Sequence, residues 1–131
     1  MARRKSRTLT ELELEIMQVV WRHDEVTVDD LDQAFRQAGK PLAPPSIRTM
    51  LGILQDKGYL KRRRVGRGHA YRAVVPAEQA EQRILNDLIE RVFDGSSSNL
   101  VAALVSQGMV DKDDLAKARR LIRKYEKERK Q

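Results

Sequence analysis

Pro44-Pro45-Ser46-Ile47-Arg48-Thr49-Met50-Leu51-Gly52-Ile53-Leu54-Gln55-Asp56-Lys57-Gly58, followed at once by Tyr59-Leu60-Lys61-Arg62-Arg63-Arg64-Val65-Gly66-Arg67-Gly68-His69-Ala70-Tyr71-Arg72, is the stretch that decides the fold. Its first half has the period of a helix. Ile47, Met50, Leu51 and Leu54 fall on one face, and Ser46, Arg48, Thr49, Gly52, Gln55 and Asp56 on the other. Proline is tolerated in the first turn, where its missing N–H would go unpaired anyway, and Gly58 suits the position just past the helix end. Then the period changes: Tyr59 to Val65 reads as a strand, Gly66-Arg67-Gly68 as a turn, and His69 to Val75 as a returning strand. The Pro44–Arg72 stretch holds eight cations against one acid, Asp56, a net +7 that equals the charge of the whole chain. Charge gathered on a helix-plus-hairpin unit is the electrostatic footprint of a nucleic-acid contact surface. A merely solvated basic face is the competing reading.

Two helices precede this unit. Thr10-Glu11-Leu12-Glu13 has the form of a capping box. Behind it Leu9, Leu12, Ile16, Val19 and Val20 recur at helical spacing, with Met17 and Trp21 widening the stripe, to an end near His23. Thr27-Val28-Asp29-Asp30 starts a second helix whose face is Val28, Leu31, Ala34 and Phe35, and Gly39-Lys40-Pro41 stops it. Helix, helix, helix, hairpin is the order of a winged helix-turn-helix domain, placed at residues 8–76. Residues 1–7 read as a basic disordered arm with no apolar segment of a secretory signal behind it.

After Pro76 the pattern is helical over 77–128: Ala77 to Phe93, a break at Asp94-Gly95-Ser96-Ser97-Ser98, Asn99 to Gln107, and a last helix from Asp111 to about Lys127. The expected fold is thus mainly α with a small β-hairpin wing. These about 55 residues are near the lower limit for an independent core. Their aliphatic positions, chiefly Ile84, Leu88, Val92, Leu100, Leu104, Leu115, Leu121 and Ile122, predict a dimerisation domain completed by a second copy. Packing back onto the first domain is the alternative.

In the third helix, Arg48 has the fork to take guanine O6 and N7 together, and Ser46 and Thr49 donate to base edges or phosphates. Base contacts are therefore assigned to Ser46, Arg48 and Thr49, near the N-terminal part of the helix. Arg48 as a pure phosphate clamp remains open. Gly52 either lets the backbone approach DNA or is a tolerated weak spot costing about 1 kcal/mol. In the hairpin, Arg62 and Arg64 share one face, with Arg67 at the tip, and these three are assigned to the DNA backbone.

Other chemistries find no support. Cysteine is absent, which removes disulfides and thiolate metal sites and fits a reducing, cytoplasmic setting. His23-Asp24-Glu25 has no second ligand cluster at metal spacing, and no catalytic set or phosphate-binding glycine loop appears. No catalytic residue, metal or cofactor is expected. No run of 18 apolar residues supports insertion into a membrane.

Several of these residues in order carry a resemblance. Leu9-Thr10-Glu11 through Ile16-Met17 and Val20-Trp21, Thr27-Val28, Ser46 to Leu51, Leu54, Lys57-Gly58, the wing ending in Ala70-Tyr71-Arg72, then Leu88-Ile89, Phe93, Gly95-Ser96 and Leu100-Val101 are similar to the BlaI/MecI-type penicillinase-repressor family. The resemblance implies a bacterial, homodimeric transcriptional repressor on an inverted-repeat operator, often of TACA/TGTA character. It also implies, in some members, induction through a membrane sensor and proteolysis. A small-molecule-responsive winged-helix regulator and a winged-helix module for protein or RNA are the alternatives. Ile53 stands where many members carry arginine or lysine, and Pro45 where some carry lysine. Ala103-Leu104 replaces the polar-aromatic pair around the cleavage point, and the copper branch's cysteines are missing. The operator sequence, the inducing signal and any upstream sensor or protease are left open by these departures.

Overall fold

The computed structural model describes residues 8–129, so the expected arm at 1–7 lies outside the described residues. The order is α1 (Glu11–Trp21), α2 (Val28–Gln37), α3 (Pro44–Asp56), β1 (Leu60–Val65), β2 (Gly68–Ala73), α4 (Ala77–Val92), α5 (Ser97–Ser106) and α6 (Lys112–Arg129). The architecture is mainly α with one antiparallel hairpin.

Local chemistry sets the boundaries. Both threonine capping boxes form. The Glu13 N–H donates to Thr10 Oγ1 at 3.3 Å while the Thr10 N–H donates to Glu13 Oε1 at 2.9 Å. Thr27 and Asp30 exchange the same pair of bonds at 2.9 and 3.1 Å. Helix α3 ends in a Schellman turn: Gly58 at φ 85° donates to the Gln55 carbonyl, and the Tyr59 N–H donates to the Leu54 carbonyl. That second bond spends the Tyr59 N–H on the helix end, and β1 starts at Leu60, one residue later than the sequence pattern suggests. At the wing tip Val65 faces Gly68 across Gly66-Arg67, and Gly66 supplies the positive φ, 58°, that a tight hairpin turn needs.

One strand position escapes the sequence pattern. Val26 bridges Tyr71, with backbone bonds of 2.9 and 2.7 Å in the two directions, so the segment before α2 pairs with the free edge of β2. The return strand ends at Ala73, short of the expected Val75. The Val74 N–H still donates to the Tyr59 carbonyl in the register of the ladder, while the Val75 carbonyl accepts from the Trp21 indole at 3.0 Å.

Two compact units divide the chain between Asp87 and Leu88. The first buries Ile16, Met17 and Val20 of α1, Leu31 and Phe35 of α2, Ile47, Leu51 and Leu54 of α3, and Tyr59, Leu60 and Tyr71 of the wing base in one core, which Ala80 of α4 joins. The second unit contains the end of α4, α5 and α6. Ser96 caps α5 by accepting from the Asn99 N–H, which starts that helix two residues before the expected Asn99. Asp111 and Asp114 cap α6 reciprocally at 2.8 and 3.1 Å.

Candidate nucleic-acid interface

Helix α3 is held by its apolar face, where Ile47, Leu51 and Leu54 are fully buried. That leaves Ser46, Arg48 and Thr49 exposed along the outward face of its first turns. The Thr49 hydroxyl donates back to the Pro45 carbonyl at 3.0 Å, a common habit of threonine inside helices. Its proton is thus committed within the helix, and what it presents outward is the methyl group and an acceptor lone pair. Gly52 lies on the same side, and a methyl group built there meets no atom within 4 Å. No contact inside the described residues requires a glycine at this position.

In the hairpin, Arg62 pairs with Tyr71 and Arg64 with His69 across the ladder. Arg62, Arg64 and Arg67 are exposed, and with Arg48 they enter no ion pair among the described residues. These four cations are available to an anionic partner.

Two other cations of the basic stretch are not. Lys57 is turned inward. Its ammonium donates to Glu13 Oε1 at 2.6 Å and to the Thr8 carbonyl at 3.0 Å, and both side chains of the ion pair are buried. It ties the end of α3 to the first turn of α1, so it holds α3 in place. Arg63, on the opposite hairpin face from Arg62 and Arg64, forms a two-pronged pair with Glu25 through Nε at 2.6 Å and Nη2 at 2.8 Å. The hydrogen bond from Arg63 holds the Glu25 carboxyl below the usual glutamate range, with the charges of Arg63 and Arg72 adding to the effect. Glu13 had a legible signal: an acid spaced with Leu9, Ile16, Met17 and Val20 sits on a buried stripe and must find a cation. Glu25 had none, because a single paired residue, Val26, creates no periodicity.

Three helices followed by an antiparallel hairpin are the architecture of a winged helix. The penicillinase repressor family profile matches residues 9–124, nearly the whole chain. This chain belongs to the penicillinase repressor family. Among its relatives, the methicillin resistance regulatory protein MecI of Staphylococcus aureus is 22% identical over 120 residues, covering 92% of this chain and 97% of that protein. An uncharacterized 16.5 kDa protein of Latilactobacillus sakei is 29% identical over 114 residues, 87% of this chain and 77% of its own length. The solution structure of the DNA-binding domain of the repressor BlaI superposes with a TM-score of 0.50 at 26% identity, covering 59% of this chain and 93% of that one. This penicillinase-repressor family member is a DNA-binding transcriptional repressor. Among the described residues, no helix is long and apolar enough to cross a membrane.

Proposed function

We propose that this repressor works as a homodimer on an inverted-repeat operator. In this reading α3 enters the major groove with Ser46, Arg48 and Thr49 toward the base edges, and the wing lays Arg62, Arg64 and Arg67 on the phosphates. Helix-turn-helix proteins read bases with the N-terminal residues of this helix, which is where the exposed polar set lies. Thr49 contributes through its methyl group and its acceptor, since its proton is engaged at Pro45.

The observation that carries the dimer is the second unit. Neither α5 nor α6 contains a buried residue. Val92 is 63% exposed, Leu121 67% and Ile122 57%, and Leu88, Val101 and Tyr125 are exposed with them. Leu100, Leu104 and Leu115 are half-buried, as is Ile84 earlier on α4. Apolar exposure on this scale marks an interaction surface. The second copy is the occupant that fits, because two-fold symmetry of the protein matches the two-fold symmetry of an inverted repeat. Selection from a random duplex library tests the proposal. Enriched sequences should contain two half-sites related by a two-fold axis, spaced by about one helical turn or a multiple of it. Enrichment of a single unrepeated half-site would overturn it.

A further inference from the structure

The wing's cations differ in their freedom. Arg62, Arg64 and Arg67 are open to solvent, but Arg63 is held by Glu25 along one edge of its guanidinium, through Nε and Nη2. Charge-assisted, two-pronged bonds of this kind are the strong ones. Glu25 is itself fixed in place, because its neighbour Val26 is locked to Tyr71 by two backbone bonds. The Arg63 side chain nevertheless remains 63% exposed with its Nη1 outside the pair, so what keeps it from a phosphate is the carboxylate beside it, which cancels its charge and repels the anion. Letting go would leave the Glu25 carboxylate bare beside the DNA backbone, where like charge repels it. The pair therefore favours staying closed when DNA binds.

We propose that Glu25 is a positioning residue that withholds Arg63 from the phosphate-binding set and so limits how many cations the wing commits to the DNA backbone. The inference rests on the assignment of the wing to DNA phosphates. Glu25 acts by sequestering a neighbouring cation; it makes no contact with DNA itself.

The test is a mutant cycle on a random-sequence duplex and on the selected operator, read as affinity against salt. Glu25→Gln keeps the shape but removes the charge, freeing Arg63 for a phosphate. The slope of log affinity against log salt should steepen by about 0.9 for each additional phosphate neutralised. The variant's advantage over wild type should grow by roughly 3.5-fold per phosphate when salt falls from about 200 to about 50 mM. Arg63→Ala alone bares the Glu25 carboxylate and should weaken binding to both DNAs, while Glu25→Gln with Arg63→Ala removes both charges and should return affinity and slope to the wild-type values. Arg64→Ala serves as the reference for the wing, and thermal unfolding confirms that each variant is folded. If Arg64→Ala weakens binding while Glu25→Gln leaves the slope unchanged, the role of Glu25 is wrong and the wing assignment stands. If Glu25→Gln with Arg63→Ala binds more weakly than the wild type by as much as Arg64→Ala does, Arg63 is an ordinary phosphate contact and the proposal falls. If Arg64→Ala has no effect, the wing assignment falls and takes the proposal with it.

Discussion

Replacing Lys57 by methionine should be among the most damaging single changes in the DNA-binding unit, although the sequence reading counts Lys57 among the cations of a nucleic-acid contact surface. Methionine keeps most of the buried stem and removes the charge. The Lys57 and Glu13 side chains are 8% and 4% exposed, so water cannot take over the bond that is lost. The Glu13 carboxylate would keep one donor, the Thr10 N–H at 2.9 Å, and the Thr8 carbonyl would lose the Lys57 ammonium. Removing one partner of a buried ion pair costs about 3–5 kcal/mol, against a total stability of about 5–15 kcal/mol for a typical domain. The pair between Arg36 and Asp32 offers an internal contrast: it lies on the surface of α2 with Arg36 66% exposed, where about 0.3–0.5 kcal/mol is expected. Urea unfolding of Lys57→Met, Arg36→Ala and the double change Glu13→Gln with Lys57→Met measures all three. The double change should recover most of the loss, because no uncompensated buried charge remains. A loss under about 1 kcal/mol for Lys57→Met would mean that the pair behaves as a surface pair, and would refute the reasoning.

Other outcomes follow from the same geometry. Gly52→Ala should raise stability by about 1 kcal/mol, since alanine is the better helix former and nothing crowds its methyl group; urea unfolding shows this, and an unchanged or lower midpoint contradicts it. Arg48→Ala should weaken operator binding by about 1–3 kcal/mol per half-site and spare random duplex, whereas equal weakening of both DNAs would make Arg48 a phosphate clamp. The Glu25 carboxyl should titrate below the usual glutamate range by carbon-detected NMR and return to it in Arg63→Ala. Its folded-state value is lowered, so its contribution to stability is present above the usual range and is lost as pH falls through the lowered value. A midpoint that does not move on Arg63→Ala contradicts the pairing.

The elements that the sequence makes legible are those specified by neighbours along the chain. The two capping boxes at Thr10 and Thr27, the glycine that ends α3 and the turn at Gly66 each need only a few adjacent residues, and each forms where the pattern puts it. Boundaries shift where groups outside the hairpin take its bonds: the Trp21 indole takes the Val75 carbonyl across 54 positions, and the Leu54 carbonyl takes the Tyr59 N–H. Charge is the least legible. Strand alternation separates Arg63 from Arg62 and Arg64, but nothing in the sequence commits Lys57 to Glu13 or Arg63 to Glu25, partners 44 and 38 residues away. The exposed set Ser46, Arg48 and Thr49 follows from helical period alone, but the engagement of the Thr49 hydroxyl at Pro45 depends on a rotamer that the sequence does not specify. The apolar positions of α4, α5 and α6 are equally legible as positions, while the second copy proposed to cover them is not described by the sequence of one chain.

A homodimeric repressor requires that a second copy cover the apolar surface of the second unit. Sedimentation equilibrium of the full chain at tens of micromolar measures this directly. The chain mass is 15.1 kDa, and the expected species has twice that mass, falling to the single-chain mass or to unfolded protein in Leu121→Asp, where a charge enters the shared core. A wild-type chain that sediments at the single-chain mass while α5 and α6 remain cooperatively folded would contradict the dimer, and with it the two-fold reading of an inverted-repeat operator.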